Sequence, residues 1–347
     1  MFILVTGCRD VQKDIVVRWE NGKAKAIQIP LNWVAHISKD TVEKQLTISL
    51  LNNKTAILGD YKIGTTIVFE PLIPFSAGTD YVVWVLDKKM GQFTIPAADG
   101  SNAPQIISSY PQQDTVPENL LKIYIQFSKP MREGQSAKYL TLLKNGKDTL
   151  HDVFLDLQPE LWNEDRTVFT TWLDPGRIKR DLQPNLKLGA PLQSFGKYEL
   201  IILKEWKDAQ GIALQKNYSW SFTTRERDSL SPDPGKWKMH TPTNLSKESL
   251  VIELDEPMDH FLLMESLHIT GKNGEAIKGI FEVSDKDKKV SFSPAEPWSA
   301  GNYTLFINAK LEDLSGNNIN RPFERDMIKT KETVSKNYFS KSFYIEK

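Results

Sequence analysis

The sequence predicts an all-β chain in which β-sandwiches follow one another in series, and three observations carry that expectation. Short stretches with apolar residues at alternate positions recur along the chain, as in IYIQF at 123–127 and LVIEL at 250–254. This is the period-2 pattern of strands with one buried face. Clusters of Gly, Pro, Asn, Asp and Ser separate these stretches, as turns between short strands require, and helical periodicity is nearly absent. The stretches also come in copies. A chain of 347 residues exceeds what one ordinary core supports, so two or three domains of about 100 residues each are expected.

Taken in order, the copies share their parts. The first opens with VVRWENGKAKAIQIPLNW (16–33), continues through PLIPFSAGTDYVVWV (71–85) and ends in GQFTIP (91–96). The second holds IYIQFSKPM (123–131), PLQSFGKYELIIL (191–203), KDAQGIAL (207–214) and YSWSFTT (218–224). The third holds LVIELDEPM (250–258), PWSAGNYTLFI (297–307) and EDLSGNNI (312–319), without the closing motif. Tyr81, Tyr198 and Tyr303 each begin a strand just after a glycine turn. There a ring can pack on the core edge while its hydroxyl bonds nearby backbone. The Asp-x-x-Gly turns at 208–211 and 313–316 place a carboxylate where it accepts turn amides and a glycine where φ is positive. Linker-like composition at AADGSNAP (97–104) and RERDSLSPDPG (225–235) sets expected domains at 10–97, 103–224 and 236–347, with residues 1–9 apart. The tail NYFSKSFYIEK (337–347) is aromatic enough to add a strand to the last sandwich or to dock on a neighbour.

Composition excludes several function classes. Lys plus Arg equals Asp plus Glu at 44 each, so no global field attracts nucleic acid, and no nucleic-acid partner is expected. There is no apolar run of membrane-spanning length. The single cysteine, Cys8, forbids an intramolecular disulfide and a thiolate zinc site. The five histidines lack metal-ligand spacing, and neither a nucleophile elbow nor a phosphate-cradling loop is present. No cofactor is expected and no catalytic residue is assigned.

The second copy is about 20 residues longer than the third between its Pro-Met and Pro-Gly-Tyr elements, a length that in a compact domain points to function or to disorder. The excess is WLDPGRIKRDLQPNLKLGAP (172–191). Asp174 begins a turn, and Arg177, Lys179 and Arg180 follow it. They are expected either to meet an anionic partner or glycan or to be pinned by Asp174 and Asp181. Trp172, Trp206 and Trp237 lie in or near loops and are the rings expected to be exposed for stacking on sugars, whereas Trp84, Trp220 and Trp298 read as core. Asp285 and Asp287 read as an exposed hairpin. Calcium could be held there or by Asp313 with Asn317.

The order of strand, polar-x-Pro-Met, Pro…Gly-x-Tyr strand, Asp-x-x-Gly and Trp-Ser-Phe-Thr-Thr resembles the bacterial Ig-like domain of S-layer proteins and adhesins. The first copy could equally be fibronectin III-like. Val5-Thr6-Gly7-Cys8 is similar to the lipobox of bacterial lipoproteins, with fewer apolar residues before the cysteine than a secretory signal needs. That resemblance implies acylation of Cys8 and anchoring by buried methylenes, hence a place in the cell envelope, at the outer membrane or cell surface. Four Asp-Ser/Thr-aliphatic triplets, at 40–42, 114–116, 148–150 and 228–230, are similar to the O-glycosylation sequon of Bacteroidetes-type bacteria. Together these resemblances imply a non-enzymatic binding or scaffold module that meets the membrane and an envelope protein or glycan. A carbohydrate-binding adhesin and a hydrolase using the 172–191 insert remain the alternatives.

Overall fold

A computed structural model describes residues 14–20, 23–34, 39–96, 103–324 and 335–347. Cys8, and with it the lipid-anchor expectation, lies outside the described residues. The chain divides into two compact units, one of residues 1–104 with 207–215 and one of residues 105–206 with 216–347.

The first unit holds two four-stranded sheets. One runs in the order Val16–Glu20, Lys23–Ile29, Ile67–Pro71, Gly59–Ile63, and the other Asn53–Ala56, Leu46–Leu50, Thr79–Val85, Lys88–Ile95. Ile27, Ile29, Ile48, Ile67, Phe69 and Val83 supply the fully buried core. Alternation explains the choice: in Leu46–Leu50 and Ile67–Pro71, residues two apart share the inward face.

The second unit contains two sandwiches. The middle one packs the five-stranded sheet Thr115–Pro117, Tyr218–Arg225, Lys197–Ile202, Leu140–Lys144, Asp148–Leu150 on a four-stranded sheet. The latter runs Leu161–Trp162, Val168–Trp172, Lys122–Phe127, Ile106–Tyr110. Thr115–Pro117 joins the last strand in parallel, and the other pairings are antiparallel. The third sandwich has the sheets Lys238–His240, Leu250–Glu253, Lys289–Pro294, Gly279–Ser284 and Leu267–Thr270, Gly301–Asn308, Tyr338–Ile345. Its closing strand is the aromatic tail, paired along its whole length with Gly301–Asn308. This is the strand expected from the sequence, in place of the missing closing motif.

The repeated motifs fold alike. The Tyr81 hydroxyl accepts the Ser76 amide at 2.8 Å, that of Tyr198 accepts the Gln193 amide at 2.8 Å, and that of Tyr303 bridges the Ser299 amide and carbonyl. Asp208 Oδ1 accepts the amides of Gln210 and Ile212, and Asp313 Oδ1 those of Ser315 and Asn317. Gly211 and Gly316 sit at φ of 90° and 78°, where a side chain is disfavoured. Met131 and Met258 of the two Pro-Met elements are fully buried.

Several sequence expectations are corrected. Trp206 and Trp237 are 0% and 2% exposed. Trp206 sits inside a cage of Phe127, Tyr139, Trp162 and Phe169, because an aromatic of this size gains more from burial than a loop gains from displaying it. Asp287, read as part of an exposed hairpin, is also buried, held against His260, which starts the short helix His260–Glu265. The insert holds two short helices, Pro175–Ile178 and Gln183–Leu188, the first starting at the turn that Asp174 begins.

Candidate functional site

The chemistry-bearing side chains of the second unit gather where the middle sandwich meets the third. The Asp313–Asn317 turn of the third sandwich lies against the start of the middle strand Lys122–Phe127. The Leu121 amide donates to the Leu314 carbonyl at 3.0 Å, and Leu314 and Phe323 pack on the middle core. Gly316 approaches so closely that a Cβ there would stand 2.3 Å from Leu121 Cδ2. The residues 225–235 read as a linker are bound into the same place. Asn119 donates to the Asp228 carbonyl at 2.7 Å and accepts the Asp228 amide at 2.9 Å, while Ser315 Oγ donates to Asn119 Oδ1. Asn317, fully buried, donates to Asp313 Oδ2 and to the Asp228 carbonyl and accepts the Phe323 amide.

Charge is concentrated here. Lys122 Nζ bonds Glu312 at 2.6 Å and Asp259 at 3.2 Å, and the Tyr124 hydroxyl donates to Asp259 at 2.7 Å. Burial lowers the Lys122 pKa, but the two carboxylates outweigh it and hold the ammonium above its ordinary value. Burial, reinforced by Asp259, pushes the Tyr124 hydroxyl up. Asp259 also caps the helix His260–Glu265 through the Leu262 amide, so one side chain fixes a helix start and an ion pair together. His260 stacks on Tyr110 with ring centroids 3.7 Å apart, and its Nδ1 lies 2.6 Å from Asp287. Beside this network the carboxylates of Asp228, Glu256 and Asp313 lie within 4.8 Å of one another. Burial first, then the neighbouring carboxylates, raise Glu256 to about 8. Burial raises Asp313 to about 7 in spite of its Asn317 and Ser315 donors. Protons shared at this cluster relieve like-charge repulsion, and these three are the described side chains that could hold a cation.

The insert residues stand as follows. Asp174 caps the helix Pro175–Ile178 through the Gly176 amide and pairs with none of the insert's arginines. Arg177 is buried, and its guanidinium donates to the carbonyls of Gly189, Leu188, His151 and Asp152. Lys179 lies 4.2 Å over the Phe323 ring, and Arg180 binds Glu324. Trp172 is half-buried under the Lys122 ammonium. A separate cleft of about 420 Å³ opens between the sheets of the middle sandwich, with His151, Asp156 and Glu160 in its wall. Glu160 is committed to the amides of Gly134 and Ser136 and to the Trp162 indole.

A family model described as the bacterial Ig-like domain matches residues 100–224 and 229–328, more than half of the sequence. The chain belongs to the bacterial Ig-like domain family. Its two matched Ig-like domains are the middle and third sandwiches, and the joint just described lies between them. No curated protein matches the chain. Among solved structures, the chain is similar to the MG0-NIE-MG1 domains of Escherichia coli alpha-2-macroglobulin, with 12% identity, 60% of this chain and 66% of that one, and a TM-score of 0.23. It is similar to the N-terminal part of the bacterial S-layer protein SbsC, with 13% identity, 60% of this chain and 41% of that one, and a TM-score of 0.24. A three-domain titin fragment, I67–I69, gives 12% identity, 76% and 82% coverage, and a TM-score of 0.20. The chain spans less than two thirds of the macroglobulin and S-layer chains, and likenesses this distant carry no argument here.

Sequence reasoning singled out Asp313 and Asn317 but missed Asn119, Lys122, Asp228, Glu256 and Asp259. One signal was available: the second Asp-x-x-Gly element carries Glu312 and Asn317 where the first carries Lys207 and Ile212.

Proposed function

We propose that this protein is a non-enzymatic binding or scaffold module of the cell envelope, built of tandem Ig-like domains and held to a membrane through Cys8. The observation that carries the scaffold reading is how the second unit spends its polar side chains. Arg180, Lys179, Arg227 and Lys122 hold one Ig-like domain to the next, Asn317 holds the connecting segment at Asp228, and Arg177 holds the insert to its own domain. Family membership agrees with the reading without fixing it, since sandwiches of this type serve as spacers, as adhesion modules and as appended domains of enzymes. A glycan-binding face built on Trp206 and Trp237 finds no support, because both rings are enclosed.

The anchor is tested by expressing the gene with its upstream codons in a bacterial host with a clickable fatty acid and comparing it with Cys8→Ala. Label on the parent alone, with the parent in the membrane fraction, supports the envelope reading. Equal labelling of both, or of neither, removes it. Titration with envelope oligosaccharides while following tryptophan fluorescence tests the scaffold reading against the adhesin, for which a saturable change is expected.

A further inference from the structure

We infer that the insert of the middle domain is a strap that fixes the angle between the middle and third Ig-like domains, with Glu324 as its anchor point. This goes beyond the scaffold reading and does not depend on where the chain resides. The base of the strap is immobile on its own domain. Arg177 is buried against four backbone carbonyls, Asp174 caps the first short helix, and Asn185 ties the second to the Arg177 carbonyl at 2.5 Å. Its tip, Lys179–Arg180, meets the third domain at Phe323–Glu324. The Arg180 amide donates to Glu324 Oε1 at 2.6 Å, the Arg180 guanidinium reaches both carboxylate oxygens at 3.3 Å, and the Lys179 ammonium sits over the Phe323 ring.

The connecting segment closes the same knot. Arg227 donates to Glu324 at 2.8 Å and to the Ile178 carbonyl of the strap at 2.8 Å, and pairs with Glu118 at 3.4 Å. Glu324, about four-fifths buried as a side chain, therefore receives two guanidinium groups and a backbone amide. A carboxylate served at once by two guanidinium groups and an amide is geometrically demanding. The Asp313–Asn317 turn, the helix start Asp259–His260 on Lys122, Tyr124 and Tyr110, and Lys286 on Asp114 and Gln113 already join the two domains. The strap adds a further attachment through another segment of the third domain, Phe323–Glu324, and ties the joint to the rigid base of the insert. The third domain has no counterpart of the insert, so the device belongs to this joint.

The test uses the full chain with Cys8→Ser and spin labels at Lys147→Cys and Lys272→Cys, two exposed turn positions in the middle and third domains. Pulsed electron-electron double resonance reads the distance distribution between them. One narrow distribution is expected for this parent, and a widening of roughly twofold or more for Glu324→Lys. A Glu324→Lys distribution as narrow as the parent's, at the same mean distance, overturns the strap. So does a lowered unfolding midpoint of the middle domain without any widening, which would mark the insert as local packing only. If Glu324→Lys fails to fold by circular dichroism, the double variant Lys179→Ala with Arg180→Ala decides by the same two readings.

Discussion

The two Asp-x-x-Gly turns are built alike and used differently. In Asp208–Ile212 and Asp313–Asn317 the carboxylate accepts the amides two and four residues on, and a glycine takes the left-handed conformation. The motif alone fixes that much, because every atom involved lies within five residues. The difference is at the flanks. Glu312 reaches the middle domain's Lys122, and Asn317 reaches Asp228 and Phe323, whereas Lys207 and Ile212 occupy those places in the first turn. The turn is a local device, and its flanking side chains decide what it is joined to. Making the Asp313–Asn317 turn resemble the Asp208–Ile212 turn should therefore leave the turn intact and open the joint.

The largest effect is expected from Glu312→Lys. It puts a second ammonium beside the buried Lys122 and removes one of the two described carboxylates that bond it, leaving Asp259. Breaking a buried pair from one side costs about 3 kcal/mol. The first unfolding transition in urea, followed on the full chain, should move to lower denaturant, and Glu312→Lys combined with Lys122→Glu should recover part of the loss. An unchanged transition would break the comparison at its strongest point.

Asn317→Ile should cost less, about 2 kcal/mol, the range for orphaning buried polar groups. The Phe323 amide and the Asp228 carbonyl lose their Asn317 partner, while the Asp313 Oδ1 bonds to the Ser315 and Asn317 amides stay. Amide hydrogen exchange separates the two levels. Protection at Ser315 should persist and that at Phe323 should fall.

The pH dependence sharpens the same contrast. Glu256 at about 8 and Asp313 at about 7 are raised above their ordinary values of 4.5 and 3.8, so the folded joint keeps protons that the unfolded chain releases. Their contribution to stability is fully present below the ordinary values and is lost as pH rises through about 7 and about 8. Denaturation midpoints of the parent minus those of Glu256→Gln should fall across that window. A difference that is flat or rises from pH 5 to pH 8.5 contradicts the sign.

Legibility followed sequence distance. Alternation and the Tyr and Asp-x-x-Gly motifs gave away the sandwiches and their corners, since each rests on contacts within a strand or a turn. Trp206 and Trp237 misled because loop-like neighbours say nothing about which distant strands close over a ring: Phe127 and Trp206 meet across 79 residues. Arg177 looked like a displayed cation, and the four carbonyls that claim it come from segments on both sides of it in sequence. The joint was hidden for the same reason, with Lys122 and Glu312 paired across 190 residues. Only the contrast between repeats, Glu312 against Lys207 and Asn317 against Ile212, pointed to it.

The smallest expected effect tests the local half of the comparison. Tyr198→Phe leaves the Gln193 amide without its acceptor, and Tyr303→Phe does the same to Ser299. Each ring keeps its stacked partner, Phe222 for Tyr198 and Phe343 for Tyr303, so the loss is confined to the hydroxyl, about 1 kcal/mol. The Tyr303→Phe loss should be slightly the larger, because that hydroxyl also donates to the Ser299 carbonyl. Neither should widen the distance distribution between the middle and third domains. A Tyr303→Phe chain that loosened the joint would mean that corner and joint are coupled through the third domain's core, and the division between local device and joining side chain would fail there.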